Sequence, residues 1–298
     1  MTAGDTEVVP STEREFSSVY HLYGPHRAGL PNLITYFREL WRRRGFASEM
    51  SRAEMRGANA NTFFGQTWLV INPLMMAGVY FVLITILNPR RGGNDPLGVF
   101  AHLTGALFAF NYVTTAMTTG ATSVVGAGKL LLNTAFPRLL MPMSAVRTAF
   151  FRFLPTVPVY IVFHLLAGAG WSLVSFTSLY FLVCMTFFGM GMAALFATCQ
   201  VYFRDTRSFL PFFLRLWMYL SPVLWTMSEL RSRGSTLTFL AHFNPLVPML
   251  GGYSEALQDG TLPPASYFLI SAAWAIGAMV VGFLFFVSRE RDFAVRVI

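Results

Sequence analysis

Long apolar segments alternate with short polar ones along most of this chain. Long intervals without Asp, Glu, Lys or Arg lie at 62–89, 97–128, 153–203, 216–228 and 261–288. A helix needs about 20 mostly apolar residues to cross a bilayer. Because 153–203 is long enough for two helices, the pattern predicts six spans with cores at 68–87, 103–125, 153–167, 173–198, 210–227 and 267–287. We therefore predict an all-α integral membrane protein whose transmembrane domain occupies 67–288.

Two regions with different patterns precede the first predicted span. Residues 1–31 mix Thr, Ser, Glu, Gly and Pro without apolar periodicity, which is typical of a mobile tail. Residues 32–66 predict amphipathic helices at the cytoplasmic interface, the first lying on the membrane surface. The second helix, 48–61, carries Arg52 and Arg56 among acidic residues. It is either a solvated helix with internal ion pairs or a docking surface for a partner.

Two further segments are apolar but too short or too broken to span. The loop 129–147 contains a short apolar run and then Phe136-Pro137-Arg138. We expect a stub helix at the membrane surface there, which either anchors the loop or fits a groove in another protein. The segment 235–260 is interrupted by Asn244-Pro245, Pro248 and Gly251-Gly252. It predicts a re-entrant helical hairpin, a gate on the outer face, since irregular backbone in a membrane needs protein or a cavity around it.

A charged turn sets the orientation. Arg204, Asp205 and Arg207 separate the fourth and fifth predicted spans, and basic residues near span ends favour the cytoplasmic side. With both termini and the tail 289–298 cytoplasmic, only Arg90, Arg91, Arg231 and Arg233 of the 22 Lys and Arg residues lie outside. The net charge of +8 is thus explained by membrane topology and indicates no nucleic-acid partner.

The candidate chemistry is sparse. Cys184 and Cys199 lie about 22 Å apart along one predicted helix, too far for a disulfide, and neither they nor the five His show metal-ligand spacing. The pair Gly128-Lys129 lacks the first Gly and the Ser or Thr of a nucleotide-binding loop. Gly189-x-Gly191-x-x-Ala194 lies inside a span without a preceding strand, which favours helix packing. We expect no catalytic residue, metal or cofactor in this chain.

Four segments together resemble the membrane subunits of polysaccharide-exporting ABC transporters, the Wzm-like permeases. They are W-L-V-I-N-P-L at 68–74, F-P-R-L-L-M-P-M-S-A-V at 136–146, V-Y-F-R-D through S-P-V at 201–223, and F-N-P-L-V-P at 243–248 followed by Glu255-Ala256. Within that family, the long Arg-rich N-terminus resembles permeases that export lipid-linked galactan in bacteria with an arabinogalactan wall.

The resemblance implies a multi-pass protein of the bacterial plasma membrane. It implies a homodimer bound to two ATPase subunits, which hold ATP and Mg, and a lipid-linked polysaccharide as substrate. The coupling helix would lie at 130–141, the interface helix at 48–61 and the outer gate at 237–257. The residues that would then carry coupling and gating are Asn133, Thr134, Phe136, Pro137, Arg138, Arg52 and Arg56 for the ATPase, and Phe243, Asn244 and Pro245 for the gate.

One position departs from the family pattern. Arg215 stands where these permeases usually carry Gln. A charged residue inside a span indicates a functional site by default, and a guanidinium suits a diphosphate, although a side chain that reaches the headgroups explains it equally well. Tyr219, four residues on, shares its helix face, and Trp225 follows further out. We assign these three residues to a substrate path.

Two other functions remain open from the sequence. An exporter of drugs or lipids would have the same span pattern. A polyprenyl-phosphate sugar transferase would need clustered carboxylates to hold a metal diphosphate, whereas the acidic residues beyond the N-terminal region lie scattered on both faces.

Overall fold

The computed structural model describes residues 32–57, 62–87, 95–128, 136–168 and 170–296. These residues form helices without a strand. The helices are α1 (Leu33–Arg42), α2 (Arg44–Gly57), α3 (Trp68–Leu87), α4 (Pro96–Gly126), α5 (Leu140–Phe153), α6 (Thr156–Leu166), α7 (Ser178–Tyr202), α8 (Thr206–Tyr219), α9 (Met227–Ser232), α10 (Ser235–Ala241), α11 (Leu246–Ser254), α12 (Ala265–Arg289) and α13 (Phe293–Arg296). The predicted all-helical class is confirmed for this part of the chain.

Five segments of the described residues are long and apolar enough to cross a membrane. They are Gly65–Ile86, Pro96–Gly126, Leu140–Leu166, Leu173–Tyr202 and Ala265–Asp292. Each contains one of the predicted span cores or nearly all of it, and α3 has the predicted bounds of the first span. Hydropathy finds these segments because each apolar run alone exceeds the thickness of the hydrocarbon core.

The predicted fifth span, 210–227, is not a continuous helix. Helix α8 has 14 residues and ends at Tyr219, which is short for a span. Ser221-Pro222 follows, and proline has no N–H to continue the helical hydrogen bonds. The backbone carbonyl of Leu220 instead accepts a hydrogen bond from the Asn244 amide at 3.0 Å. The chain then turns and enters α9 behind the N-cap Thr226.

The predicted stub helix in the loop 129–147 also needs correction. Residues 129–135 lie outside the described part of the chain. From Leu140 onward the chain is already in α5, which continues across a short break at Leu154 and Pro155 into α6. The third apolar segment of spanning length therefore begins at Leu140, well before the predicted core at residue 153, because Arg147 and Arg152 are accommodated within a packed helix.

The core lies around α4, whose residues 101–110 are all buried. Helix α4 packs against α5 and α7, and α7 packs against α12. The α7–α12 contact depends on glycine: a Cβ on Gly191 would lie 2.2 Å from the carbonyl oxygen of Ala278, and a Cβ on Gly282 would lie 2.0 Å from the carbonyl oxygen of Gly191. The sequence pattern around Gly191 is thus a helix-packing motif, as predicted.

Helices α1 and α2 precede the first span. Asn32 caps α1 by accepting hydrogen bonds from the backbone N–H groups of Ile34 and Thr35. The side chains of Ile34 and Trp41 are exposed, whereas Leu40 on the opposite side is buried. This exposed apolar stripe is what a helix lying on a membrane surface requires.

Candidate functional site

A partly buried carboxylate connects three distant parts of the chain. Glu290, just after α12, accepts hydrogen bonds from the Tyr36 hydroxyl at 2.5 Å and from the Arg138 backbone N–H at 2.6 Å. The Arg138 guanidinium donates to the backbone carbonyl of Glu290. We call Tyr36, Arg138 and Glu290 the cytoplasmic clamp, after the side of the membrane that the sequence predicts for these segments. Burial raises the pKa of the Tyr36 hydroxyl, and the Glu290 carboxylate beside it adds to that rise.

The clamp changes the expected role of Arg138. Its guanidinium donates a hydrogen bond within this chain. Pro137 is buried, and the partly buried ring of Phe136 packs on Phe46 of α2 with ring centroids 4.9 Å apart. Phe136 and Arg138 both retain partial exposure, and Phe136 lines a surface cleft of about 500 Å³. Asn133 and Thr134 lie outside the described residues.

The arginines of α2 are solvent-exposed. Arg52 forms an ion pair with Glu49 at 2.8 Å on the same helix, as the first of the two interpretations expected, and Arg56 is exposed. The opposite face of α2 packs on α5. There the Thr148 hydroxyl lies 3.0 Å from a carboxylate oxygen of Glu54.

The charged turn consists of exposed side chains. Arg204, Asp205 and Arg207 are all exposed, and Asp205 does not cap α8 with its side chain. The turn is held instead through its backbone, since the Gln200 amide donates to the carbonyl of Arg204 at 3.1 Å. Within the described residues, no ion pair of 4.0 Å or less joins Asp205 to either arginine.

Arg215 lies in a cavity of about 280 Å³ between α3, α4 and α8. Its polar walls are Tyr80, Asn111, Thr114, Thr115 and Thr118. Tyr80 also contacts Tyr219, so the predicted pair of Arg215 and Tyr219 faces one common neighbour. Trp225 lies beyond the end of α8, where its indole N–H donates to the carbonyl of Tyr219 at 3.2 Å. We call this space the Arg215 cavity.

Two threonines of α4, Thr114 and Thr118, both bond to their own helix and line this cavity. The hydroxyls of Thr118, Thr119 and Thr122 donate to backbone carbonyls three or four residues earlier. Such bonds satisfy the hydroxyl inside a membrane and leave its oxygen lone pairs and methyl group on the helix surface. Hydroxyl self-bonding and a polar cavity wall are therefore compatible in this helix.

Asn244 organises the segment 235–260, which the sequence predicts to be an outer hairpin. Its carboxamide oxygen accepts from the indole N–H of Trp217 at 2.7 Å and from the backbone N–H of Leu246 at 3.0 Å. Its amide donates to the carbonyl of Leu220. The neighbouring Phe243 is exposed, and Pro245 precedes α11 as its N-cap. One side chain thus joins the end of α8 to the turn of the hairpin.

A second contact closes the hairpin, and sequence reasoning missed it. The Arg231 guanidinium of α9 donates to the carboxylate of Glu255, which follows α11 and is buried. Burial raises the pKa of Glu255, although the neighbouring Arg231 opposes this effect. Burial likewise raises the pKa of Asp259. An acidic residue in an otherwise apolar hairpin was the available signal for Glu255.

Comparison with known proteins gives a consistent match. The chain is 26% identical over 264 residues to an O-antigen export system permease protein RfbA of Myxococcus xanthus, an alignment that covers 88% of this chain and 99% of that protein. Two proteins of the same description from Klebsiella pneumoniae are 26% and 27% identical over 237 residues, covering 78% of this chain and 88% of each relative. No family model matches the sequence. The resemblance to polysaccharide-exporter permeases that the four sequence segments predict is thereby confirmed along most of the chain.

Proposed function

We propose that this chain is the membrane-spanning permease subunit of an ABC exporter that moves a lipid-linked polysaccharide from the cytoplasmic to the outer side of the plasma membrane. The observation that carries the proposal is the alignment with an O-antigen export permease over 99% of that relative's length. Five apolar helices of spanning length agree with it. A galactan is the cargo we propose, and both termini are placed in the cytoplasm.

The chain acts as a transport subunit and not as an enzyme. ATP and Mg are bound by two separate ATPase subunits, and a second copy of the permease completes the transporter. The proposed docking surface comprises the exposed arginines Arg52 and Arg56 of α2 together with Phe136. The cytoplasmic clamp lies behind this surface, so a displacement of the segment around Arg138 would be transmitted to α1 and α12.

The Arg215 cavity is the proposed cytoplasmic part of the substrate path. A diphosphate at the inner membrane surface needs a cationic fork of donors, which Arg215 supplies. Hydroxyl groups on the cavity wall suit the polar start of a sugar chain, and Tyr219 and Trp225 offer aromatic faces further out. The hairpin between Arg231 and Glu255, with Asn244 at its turn, is the proposed outer gate.

Depletion of this chain in its own cells tests the proposal. If the chain exports a lipid-linked polymer, that polymer should accumulate on the cytoplasmic leaflet, and the sugar composition of the accumulated material identifies the cargo. Complementation by the full chain should return the polymer to the outer side. Accumulation of lipid-linked galactose polymer supports the galactan. Normal export of all lipid-linked glycans during depletion would overturn the proposed function and favour drug or lipid cargo.

A further inference from the structure

A second polar cavity, of about 500 Å³, lies between α3, α4 and the α5–α6 pair. Its polar walls are Asn72, Asn111, Thr115, Arg152 and Thr156. Asn111 and Thr115 also line the Arg215 cavity, so one face of α4 has an arginine-containing cavity on each side. We call this second space the Arg152 cavity. None of the transport roles described above uses it.

The Arg152 cavity opens near the cytoplasmic membrane surface. Trp68, the first residue of α3, contributes to its wall, and tryptophan is enriched where the hydrocarbon core meets the headgroups. Arg152 lies near the end of α5, with its guanidinium 3.9 Å from the Glu54 carboxylate of α2, a helix that precedes the first span. The end of the cavity at Trp68 therefore lies at the depth of lipid phosphates.

Arg152 has unused hydrogen-bonding capacity. Its Nε atom is buried without a hydrogen-bond partner in the described part of the chain. The 3.9 Å separation from Glu54 exceeds a hydrogen-bond distance, and that carboxylate lies close to Thr148. Because a cation in a membrane protein is costly when its hydrogen-bond donors are not all satisfied, such a residue marks a ligand or ion site by default.

The other walls fit the two parts of an amphipathic ligand. The amides of Asn72 and Asn111 are exposed on their helices and carry donors for phosphate oxygens. Leu69, Phe108 and Phe153 form apolar surface within the same cavity. An arginine fork binds phosphate oxygens by paired charge-assisted hydrogen bonds, while the apolar walls suit the start of a hydrocarbon chain.

We propose that the Arg152 cavity binds the phosphate group of a lipid headgroup, with Arg152 as the main contact and Asn72 as a second donor. Two lipids carry this chemistry at that depth, a bilayer phospholipid and a polyprenyl diphosphate carrier. If the carrier is the ligand, the inference rests on the proposed function.

Native mass spectrometry of the full chain in detergent tests this site. The probes are phosphatidylglycerol and undecaprenyl diphosphate, each titrated separately against the parent, Arg152→Gln, Asn72→Leu and Arg147→Gln. Arg147 is the matched control, because it lies on the same helix over the ring of Phe151 and does not line the cavity. Loss of a charge-assisted hydrogen bond should weaken binding of one lipid about tenfold or more in Arg152→Gln, with a smaller loss in Asn72→Leu.

The two lipid arms and the control decide the result. A loss with undecaprenyl diphosphate alone supports the site and identifies the carrier as its ligand, and a loss with phosphatidylglycerol alone supports it with a structural phospholipid. Unchanged binding of both lipids, or an equal loss in Arg147→Gln, would overturn the site. If the Arg152→Gln protein does not insert into the membrane, the binding of the two lipids to Asn72→Leu decides the result by the same criteria. Since binding is measured without transport, these outcomes are independent of the depletion experiment.

Discussion

The Glu290 carboxylate accepts a hydrogen bond from the Tyr36 hydroxyl at 2.5 Å and so joins the first described helix to the end of the last span. The same carboxylate accepts from the backbone N–H of Arg138. Three segments that lie far apart in the sequence are therefore held together at one point. Any force applied at the segment 136–139 would reach both α1 and α12 through it.

Removal of the Tyr36 hydroxyl should loosen this clamp. Tyr36→Phe leaves a partly buried carboxylate with one donor fewer, which costs about 1–3 kcal/mol, and should lower the thermal unfolding temperature of the purified protein. Glu290→Gln should do the same, because the carboxylate accepts at both of its oxygens whereas the amide has only one acceptor oxygen. Phe37→Leu, at the exposed neighbouring position, is the control. Equal unfolding temperatures for Tyr36→Phe and the parent would show that the bond contributes nothing.

Truncation of Phe136 should separate assembly from insertion. If this ring contacts the ATPase subunit, Phe136→Ala should weaken co-purification of that subunit about tenfold, since aromatic anchors in interfaces contribute about 2 kcal/mol or more. Membrane insertion should be unchanged. Arg138→Glu is a poor test of docking, because it would place a second carboxylate beside Glu290. Phe63→Ala, at an exposed ring before α3, serves as the control. Normal assembly and coupled ATP hydrolysis in Phe136→Ala would exclude the docking role.

Replacement of Arg215 tests the substrate path. Arg215→Gln introduces the residue that the resemblance to export permeases predicts at this position, and export of a diphosphate-linked polymer should fall several-fold if the guanidinium binds the diphosphate. Arg207→Gln, at the exposed cytoplasmic turn, controls for the loss of one positive charge. Parental rates of export and of substrate-stimulated ATP hydrolysis would leave Arg215 with a role at lipid headgroups alone.

The outer hairpin should become less stable as the pH rises. Burial raises the pKa of Glu255 above its ordinary value of 4.5, so the folded protein holds this proton more tightly than the unfolded chain. The stability that this provides is present at low pH and is lost as the pH rises through the folded-state pKa. The protection factors of the α11 amides, which correct for the intrinsic acceleration of exchange with pH, should fall as the pH rises above 4.5.

Glu255→Gln should reduce this pH dependence and should not destabilise the hairpin at pH 7.5, because a neutral amide carries no buried charge. Burial also raises the pKa of Asp259, so this residue leaves the variant with a smaller pH dependence of the same sign. His242, whose pKa burial lowers, acts in the opposite direction. A Glu255→Gln protein that exchanges much faster than the parent at pH 7.5 would show instead that the ion pair with Arg231 dominates.

Alanine substitutions at two glycines of α12 should show which glycine the close packing of α7 and α12 requires. Gly282→Ala places a Cβ 2.0 Å from a backbone carbonyl oxygen of α7 and must push the two helices apart, at a cost of about 1–3 kcal/mol or more. Gly277→Ala, on the same helix with no atom within 4 Å of the new Cβ, should be neutral or slightly stabilising. Equal thermal stabilities of the two variants would contradict the close packing of α7 and α12.

The sequence alone determined the helical class, the five long apolar segments and the resemblance to export permeases. Each of these rests on local composition: 20 consecutive residues without a charged side chain define α3 whatever surrounds them, and the glycine spacing around Gly191 indicates a close helix contact without naming its partner. The amphipathic pattern of 32–42 likewise predicts α1, because its period is that of a helix.

The tertiary structure alone decided where α8 ends and what Arg138 binds. The apolar run 210–227 has the hydropathy of a span, yet the free carbonyl at Leu220 finds its donor on Asn244, which lies 24 residues away. Glu290 and Tyr36 are 254 residues apart. Hydropathy is a property of neighbours in sequence, whereas a hydrogen bond between side chains depends on which helices pack together. For that reason the cytoplasmic clamp, the pair of Arg231 and Glu255 and the Arg152 cavity exist only in the folded chain.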